Sequence, residues 1–490
     1  MIAKHLRAAS LLMIAAMAFD AQAGSTFVIV DPNAAGLGTS DTTPATPVAG
    51  NPGTTRGAQR LYLLQTAGQK WGALLDSAVP IRYTASMVSN TCSGSSAVVA
   101  STLPSQVFSD FANAPRPDTW YGVAEASALA GEDLATDADD FDVTFNSDVD
   151  NGSCLTGYTG WWYGVDPSVP VPADKLALLP IMLREFARGV GAMPFVEVNS
   201  GDLCCDDDPK PDAWIVNMYD TDFFDYWSTM DSGSRESSSN NDPFLVWAGT
   251  HVNRHQAQYL HPQRTLVINT PASIAGSNPA KEAVFGPPVP PAGITGNIVL
   301  AVDGSTADSS GGNTGTLNDA CQTIADATGK IVLAERGACT FVQKAQNAQA
   351  AHALGLVVMN NVDPDPAPMG GTAIGLTMPS LGITQALGTD IRNHLNTAVN
   401  VTMGSTTIYP GTTEGCVRLS APIDGSLFSP RNFSADITPD LLIRGNYISY
   451  PIHDNMDLLP DVMKDIGWHV GSEIHADGFE GNPCAYRPAF

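Results

Sequence analysis

The sequence predicts an α+β fold in which a smaller α/β unit is inserted into a larger domain. The chain has 490 residues, too many for a single ordinary core. Apolar residues recur at helical spacing in residues 57–76, whereas residues 331–359 alternate short apolar runs with one alanine-rich segment. Glycine and proline number 45 and 35, and only 15% of residues are charged, which is typical of a loop-rich globular protein.

The first part of the chain contains the elements of a helix packed on a sheet. Residues 27–30 and 79–87 have the pattern of strands, and residues 57–76 between them have the pattern of a helix. Residues 173–193 predict a second helix. It either begins near Pro180, because proline is tolerated in the first turn of a helix, or is kinked there.

Two polar segments are predicted to be loops. Residues 133–152 carry many aspartates but lack the spacing and the final glutamate of an EF-hand, which favours a solvated acidic loop over a calcium loop. Residues 231–243 are rich in serine and asparagine and predict a flexible loop. Residues 458–468 predict a last amphipathic helix, followed by a tail over residues 471–490.

The charge of the chain argues against two classes of partner. Acidic residues outnumber basic ones by 50 to 24, and the formal net charge is −26. Nucleic acids and anionic membranes are bound through clustered Lys and Arg, and the sequence contains no such cluster. We therefore expect neither nucleic acid nor a membrane surface as a partner.

The N-terminus has the organisation of a secretory signal peptide. Lys4 and Arg7 precede a short apolar stretch over residues 8–19, and an A-x-A cleavage pattern ends at Ala23. The apolar stretch is too short for a membrane anchor. We therefore predict cleavage after Ala23 and export to the periplasm or the medium.

Eight cysteines follow the predicted cleavage point, an even number that is typical of disulfides in exported proteins. They are Cys92, Cys154, Cys204, Cys205, Cys321, Cys339, Cys416 and Cys484. The sequence alone leaves their pairing open, and it has no C-x-x-C pair of the kind found in zinc clusters. The adjacent Cys204 and Cys205 are predicted to join other cysteines rather than a metal.

A β-α-β unit is predicted in the second half. Residues 298–300, 331–333 and 356–359 are short apolar runs that predict buried strands, and residues 339–353 predict the helix between the last two. Strands joined through a helix pair in parallel.

This unit carries a specific motif. Residues 329–361 contain a strand, an R-G-x-C-x-F turn, a helix with K-x-x-x-A and a strand ending in two asparagines. The segment resembles the protease-associated (PA) domain, and the similarity extends through residues 378–383. The resemblance covers about residues 271–408. It implies a non-catalytic module that binds or gates polypeptide, or a simple spacer, and it implies a Cys321–Cys339 disulfide.

A second motif lies in residues 183–193, Leu-Arg-Glu-Phe-Ala-Arg-Gly-Val-Gly-Ala-Met. It resembles the H-E-x-x-H-G-x-G helix of zinc metallopeptidases, with Arg184 and Arg188 at the histidine positions and Glu185 at the general-base position. Histidines at i and i+4 share one helix face and bind zinc, and the glutamate activates the zinc-bound water. A guanidinium stays protonated and has no free lone pair, so it does not ligate zinc.

Residues 159–164 precede this helix, residues 244–249 follow it and residues 465–468 lie near the end of the chain. This layout resembles secreted bacterial PA-domain proteins with a leishmanolysin-like or metzincin-like peptidase domain. In them the PA domain lies between the zinc helix and a distant third histidine, whose place is taken here by Leu427. A segment like a Met-turn corresponds to residues 441–445 without its methionine, and the compact metzincin position of the third ligand is Pro194. The resemblance implies a metzincin-like scaffold, over residues 24–270 and 409–470, that has lost its metal site.

Together the resemblances imply an exported pseudo-peptidase that binds polypeptide and uses no cofactor. Arg184 and Arg188 are then a candidate carboxylate site, and Glu185 is a vestigial general base. In the alternative arrangement, Glu185 neutralises the two arginines internally.

Two other functions stay open. An active metallopeptidase would keep Glu185 as its base and bind zinc through non-standard ligands, for which His251, His255 and His261 are the first candidates. A structural or adhesive surface protein would have no ligand in the cleft and would tolerate substitutions there. The sequence contains no G-x-S-x-G elbow and no recognisable cysteine-nucleophile signature.

Overall fold

The computed structural model describes residues 24–152, 154–172, 174–197, 200–205, 207–260, 262–308, 312–362, 364–371, 375–406, 409–420, 433, 442–443, 456–471, 483–484 and 486. The predicted signal peptide, His261, Leu427 and most of the predicted Met-turn and tail lie outside these residues. The described residues fall into two compact units, one within residues 1–194, 204–214 and 449–479 and the other within residues 195–203, 215–448 and 480–490.

The described residues form α-helices and β-strands of ordinary length. The helices are α1 Arg56–Leu74, α2 Val123–Ala130, α3 Leu178–Gly189, α4 Ser232–Ser238, α5 Thr250–Tyr259, α6 Phe341–Ala350, α7 Gln385–Asn393 and α8 Leu459–Ile466. The strands are β1 Phe27–Val30, β2 Ile81–Val88, β3 Ala100–Pro104, β4 Val107–Phe108, β5 Tyr121–Gly122, β6 Phe141–Asn146, β7 Gly160–Trp162, β8 Lys175–Ala177, β9 Met218–Asp220, β10 Asp225–Tyr226, β11 Leu245–Trp247, β12 Arg264–Thr270, β13 Gly276–Glu282, β14 Ile294–Leu300, β15 Lys330–Glu335, β16 Gly355–Met359, β17 Ser380–Ile383, β18 Asn400–Ser405, β19 Thr412–Thr413 and β20 Cys416–Arg418. None of the helices among these residues is long and apolar enough to span a bilayer.

The first unit is built on a four-stranded sheet with the order β1-β2-β6-β3. The first three of these strands are parallel, whereas β3 runs antiparallel to β6 at one edge. Helices α1 and α3 contact each other, and α3 also contacts β3 and β6. The predicted strands at residues 27–30 and 79–87 and both predicted helices of this region are therefore present, as β1, β2, α1 and α3.

Aromatic packing fixes α3 on the sheet. The ring of Phe186 lies 5.9 Å from Phe27, 4.8 Å from Tyr83 and 5.6 Å from Phe141, measured between centroids. Each such pair contributes about 0.5–1.5 kcal/mol beyond its buried area. Gly189 allows the helix to approach closely, because a Cβ there would lie 2.5 Å from the Phe141 ring. This packing places the residues on either side of Phe186 at fixed positions.

The prediction of a solvated loop over residues 133–152 is wrong for its second half. Residues 141–146 form β6, an inner strand of the sheet, and Phe141, Val143 and Phe145 are buried. Asp142 lies between the apolar residues Phe141 and Val143, so it faces solvent while its neighbours face the core. Alternation with period two, rather than the density of acids, is the informative pattern.

Asp150, from the same segment, is the centre of a buried network in this unit. Its Oδ2 accepts hydrogen bonds from Arg60 Nη2 at 2.9 Å and from the Tyr163 hydroxyl at 2.6 Å. Arg60 also donates to Asp41 at 3.2 Å. The side chains of Arg60 and Asp150 are only 5% and 7% exposed, so this ion pair lies outside the reach of bulk water.

We expect Asp150→Asn to destabilise the first unit by about 1–3 kcal/mol, because the amide loses the charge while keeping part of the hydrogen bonding. Hydrogen exchange of peptides from α1, which carries Arg60, measures the loss. The matched control is Asp142→Asn, since Asp142 is exposed on β6. Equal exchange in the two variants would show that the Asp150 network contributes nothing.

The second unit contains a closed barrel with the strand order β12-β13-β17-β16-β15-β14-β18. The four strands β14, β15, β16 and β17 are parallel, and the remaining pairs are antiparallel. The predicted β-α-β unit is confirmed as β15, α6 and β16, with Ile331 opposite Gly355 in the parallel register. The domain boundaries proposed from sequence, 271 and 408, stay predictions; the barrel strands themselves begin at Arg264 and end at Ser405.

The second unit also has a five-stranded sheet, β10-β9-β11-β20-β19, and a short helix that was not predicted. Residues 231–243 were predicted to be a loop, but α4 occupies seven of them. Asp231 caps this helix by accepting a hydrogen bond from Ser234 N at 2.8 Å. Buried Arg235 anchors it by donating to the carbonyl oxygens of Gly201 and Trp227.

All eight cysteines are paired. The pairs are Cys92–Cys154, Cys204–Cys205, Cys321–Cys339 and Cys416–Cys484. The Cys321–Cys339 pair is the one that the resemblance to PA domains implies. The prediction that Cys204 and Cys205 join other cysteines is wrong: the other six are already paired, and the left-handed conformation of Cys205, with φ 72°, accompanies a bond between neighbours.

Candidate functional site

The sequence-predicted site residues lie on α3, which is buried along its whole length. The helix begins at Leu178, so Pro180 falls within the first turn, where the missing amide hydrogen breaks no helical bond. Trp71 of α1 donates from its indole nitrogen to the carbonyl of Leu183 at 3.0 Å. Packing of Phe186 on the sheet then sets the rotation of the helix.

Arg184, Glu185 and Arg188 are all buried, with 9%, 2% and 8% of their surfaces exposed. Arg184 and Arg188 are four residues apart and therefore share one face of the helix. The structure thus brings together the three residues that the sequence singled out. It places them inside the unit rather than on an open surface.

Both oxygens of the Glu185 carboxylate accept hydrogen bonds. Arg188 Nη1 donates to Oε1 at 2.8 Å, and the hydroxyl of Thr102 on β3 donates to Oε2 at 2.9 Å. Among the residues that the structure describes, Arg188 Nε has no hydrogen-bond partner. The Arg188–Glu185 contact is a charge-assisted pair at i, i+3 in a poorly solvated place, where such pairs are stronger than at the surface.

This arrangement limits the chemistry that Glu185 can perform. A general base needs an oxygen within hydrogen-bond reach of the proton that it removes. Here Arg188 and Thr102 already donate hydrogen bonds to the two oxygens of Glu185. Thr102 was missed at the sequence level because its partner is 83 positions away, and no local pattern reports such a contact.

Two of the three histidines proposed as alternative zinc ligands lie in the described part of the chain, where they do not belong to a metal-binding group. His251 and His255 lie on α5 in the second unit, both partly buried. Within the described part of the chain, no group of three or more His, Cys, Asp or Glu side chains is arranged to hold a metal ion. His261 and Leu427 lie outside that part.

A buried carboxyl group lies beside the turn that follows α3. Glu125, on α2, is fully buried, and neither of its oxygens has a hydrogen-bond partner among the described residues. Its Oε2 lies 2.7 Å from where a Cβ on Gly191 would be, and its Oε1 lies 3.2 Å from the same position on Gly467. Burial, and then the carboxylate of Asp212, raise the pKa of Glu125 well above its usual value. The sequence signal is a single acid within the apolar run of α2.

A second candidate site lies in the barrel, at the carboxyl ends of its parallel strands. Arg336 follows β15 and Asn360 follows β16, and Arg336 Nη1 donates to Asn360 Oδ1 at 2.8 Å. The guanidinium also lies 5.8 Å from the ring centroid of Phe341. Asn360 is 4% exposed and donates to the carbonyl of Asp365 at 2.8 Å. Ligands of parallel sheets bind at this edge, where loops from successive strands meet.

Comparison with known proteins identifies the barrel. The model of the PA domain matches residues 284–391. Leucine aminopeptidase 2 of Arthroderma otae is 43% identical over 79 residues, which are 15% of this chain and 15% of that protein. The PII-type proteinase of Lactococcus lactis subsp. cremoris is 42% identical over 64 residues, 13% of this chain and 3% of that protein. The chain therefore spans only a small part of these relatives.

Solved structures are matched over about a third of this chain, with low TM-scores. A zinc aminopeptidase from Bacillus subtilis is matched over 32% of this chain and 36% of that one, with 21% identity and a TM-score of 0.22. An aminopeptidase from an Aneurinibacillus strain is matched over 32% and 37%, with 22% identity and a TM-score of 0.21. The chain contains a PA domain, as the sequence motif predicted, and it is a protease-related protein.

Proposed function

We propose that this is an exported, non-catalytic relative of zinc metallopeptidases that binds polypeptide. The observation that carries the proposal is the closed contact of Glu185 with Arg188 and Thr102 inside the first unit. Glu185, at the general-base position, is paired with Arg188 inside the unit. Arg188 occupies the position at which a zinc metallopeptidase has a ligating histidine. The arrangement supports the alternative in which Glu185 neutralises its neighbours.

The charge and the burial of the two arginines also support a function without zinc. A zinc ion beside Arg188 would be repelled by the guanidinium, which has no lone pair to offer it. The burial of Arg184 and Arg188 also limits their use as a carboxylate site, since Arg188 is already engaged by Glu185. We keep Arg184 and Arg188 as a secondary candidate site for a carboxylate. We infer that polypeptide binding uses no zinc or other cofactor.

We further propose that the first unit has a metzincin-like scaffold. A mixed sheet with an antiparallel edge strand, and a buried helix beside that edge that carries the R-E-x-x-R motif, support this relationship. The four disulfides support export, because disulfides persist in oxidising compartments. The predicted signal peptide over residues 1–23 belongs to the same proposal.

The zinc content of the purified mature protein tests the loss of catalysis, measured alongside casein turnover with and without a chelator. We expect no stoichiometric metal and no turnover. One zinc per chain together with chelator-sensitive cleavage would overturn the proposal. His251, His255 and His261 would then be the first residues to substitute.

Polypeptide binding is expected at the carboxyl edge of the barrel, where Arg336, Asn360 and Phe341 converge. We expect Arg336→Ala to weaken the binding of fluorescein-labelled casein peptides by about tenfold, the effect of one charge-assisted hydrogen bond. Fluorescence polarisation measures the affinity. Lys330→Ala is the control, because exposed Lys330 lies at the opposite end of β15. Equal affinities of the two variants would exclude this edge as the binding site.

A further inference from the structure

A lysine in the barrel lies against one sulfur of a disulfide. Lys344, on α6, is fully buried; its Nζ donates to the carbonyl oxygen of Asp319 at 2.5 Å and lies 3.4 Å from Cys321 Sγ. Buried ammonium groups are rare unless they are paired. The contact with the sulfur is a feature that neither the peptidase ancestry nor polypeptide binding requires.

The two sulfurs of the Cys321–Cys339 disulfide differ in their access to solvent. Cys321 is 2% exposed and contacts Lys344, whereas Cys339 is partly exposed in the turn before α6. Thiol–disulfide exchange depends on which sulfur can be reached and on how readily the other departs as a thiolate. Access favours attack at Cys339, and the adjacent ammonium favours departure of Cys321.

We propose that Cys339 is a thiol-exchange site and that Lys344 stabilises Cys321 as the departing thiolate. The co-reactant is a dithiol. One thiolate of the dithiol forms a bond to Cys339 Sγ, the Cys321–Cys339 bond breaks, and its electron pair stays on Cys321 Sγ. The second thiolate of the dithiol then displaces Cys339 from the mixed disulfide. The dithiol is oxidised by two electrons to a disulfide, and the two cysteines are reduced.

The charged groups around Lys344 set the pH range of this effect. Burial lowers the pKa of Lys344 to about 8, against the opposing influence of Asp319, Asp303 and Glu335. The carboxylates of Asp303 and Asp319 accept hydrogen bonds from the backbone N–H of Cys321, at 3.1 Å and 2.9 Å, whereas the ammonium contacts the sulfur itself. Lys344 is therefore mostly charged at pH 7, and its help declines above pH 8.

The disulfide has a structural consequence at the proposed binding edge. It ties the connection between β14 and β15 to the turn that begins with Arg336. Reduction would release that connection beside Arg336. The redox inference itself stands on the Lys344 contact and does not depend on the proposed function.

The direction of exchange can be measured on the wild-type protein. Brief treatment with a monothiol, 2-mercaptoethanol, is followed by alkylation of free thiols and peptide mass spectrometry. We expect the mixed disulfide on Cys339 and the alkyl group on Cys321. The reverse pattern would overturn the proposal. This measurement needs no variant, so it remains decisive even where a substitution prevents folding.

The role of Lys344 is tested by the rate of reduction with dithiothreitol. We expect Lys344→Met to slow the reduction of Cys321–Cys339 about tenfold at pH 7 and by clearly less at pH 9. Lys330→Met, at an exposed lysine of the same barrel, should change nothing. Cys92–Cys154 is the internal reference, because it also joins a buried Cys154 to a partly exposed Cys92. An unchanged rate in Lys344→Met would overturn the assigned role.

Discussion

Replacing Arg188 with methionine is expected to destabilise the unit that carries α3 by about 3–5 kcal/mol. The substitution removes the cation at 2.8 Å from Glu185 Oε1 and leaves a buried carboxylate, 2% exposed, that keeps the hydrogen bond from Thr102. An uncompensated buried charge is more costly than the loss of the pair's attraction. Hydrogen exchange of peptides from residues 178–189 measures the local free energy of opening.

Two further variants separate the charge from the packing. Adding Glu185→Gln to Arg188→Met removes the second charge, so most of the lost stability should return. Arg82→Met is the surface control: Arg82 pairs with Asp139 at 3.2 Å, but its side chain is 49% exposed. Exposed pairs of this kind contribute at most about 1 kcal/mol. If Arg188→Met costs no more than Arg82→Met, Glu185 is not held by Arg188, and the proposed loss of the general base fails with it.

This result would show how α3 is held on the sheet by hydrogen bonds to a buried carboxylate. Zinc would bridge two ligands on one helix face, whereas the Arg188–Glu185 pair links residues of one helix and Thr102 links that helix to β3. The edge strand and α3 are thus connected by a hydrogen bond to a carboxylate. A structural role of this kind is the one that the proposed function assigns to Glu185.

The elements that the sequence predicted well are those with a local cause. The β-α-β unit of the barrel has apolar runs of strand length around an alanine-rich segment, and β15, α6 and β16 follow them closely. Helix α3 follows its apolar periodicity and its early proline. The positions of Arg184, Glu185 and Arg188 on one helix needed only the helical repeat.

The features that the sequence did not predict depend on distant partners or on competing patterns. Arg60 and Asp150 are 90 positions apart, so nothing near Asp150 indicates that it is buried. Helix α4 lies in a serine-rich segment and is held by its cap at Asp231 and by the contacts of Arg235. The pairing of Cys204 with Cys205 depended on the partners of six other cysteines. Contacts of this kind are visible only in three dimensions.

We expect the contribution of Glu125 to the stability of the first unit to decrease as the pH rises. Burial, reinforced by Asp212, raises the pKa of Glu125 in the folded protein, while the unfolded chain keeps the ordinary value near 4.5. The folded state therefore binds more protons than the unfolded state between these two pKa values. The stability contributed by the neutral carboxyl is complete below pH 4.5 and is lost as the pH rises through the folded pKa.

Glu125→Gln removes this titration while preserving the shape of the side chain. We expect the wild type and the variant to have similar melting temperatures near pH 5 and the variant to be more stable at pH 8–9. Each unit by which the folded pKa exceeds the unfolded one corresponds to about 1.4 kcal/mol. The comparison also cancels the general repulsion that a chain with a formal charge of −26 develops at high pH.

Glu132→Gln is the matched control, because exposed Glu132 lies seven positions further along and just beyond the end of α2. Its melting temperature should follow that of the wild type at every pH. Parallel curves for Glu125→Gln and the wild type would mean that Glu125 is solvated or paired in solution. A divergence that grows with pH would locate an uncompensated carboxyl beside Gly191, at the end of the helix that carries Glu185. The stability of that helix would then be tied to proton binding by its neighbour.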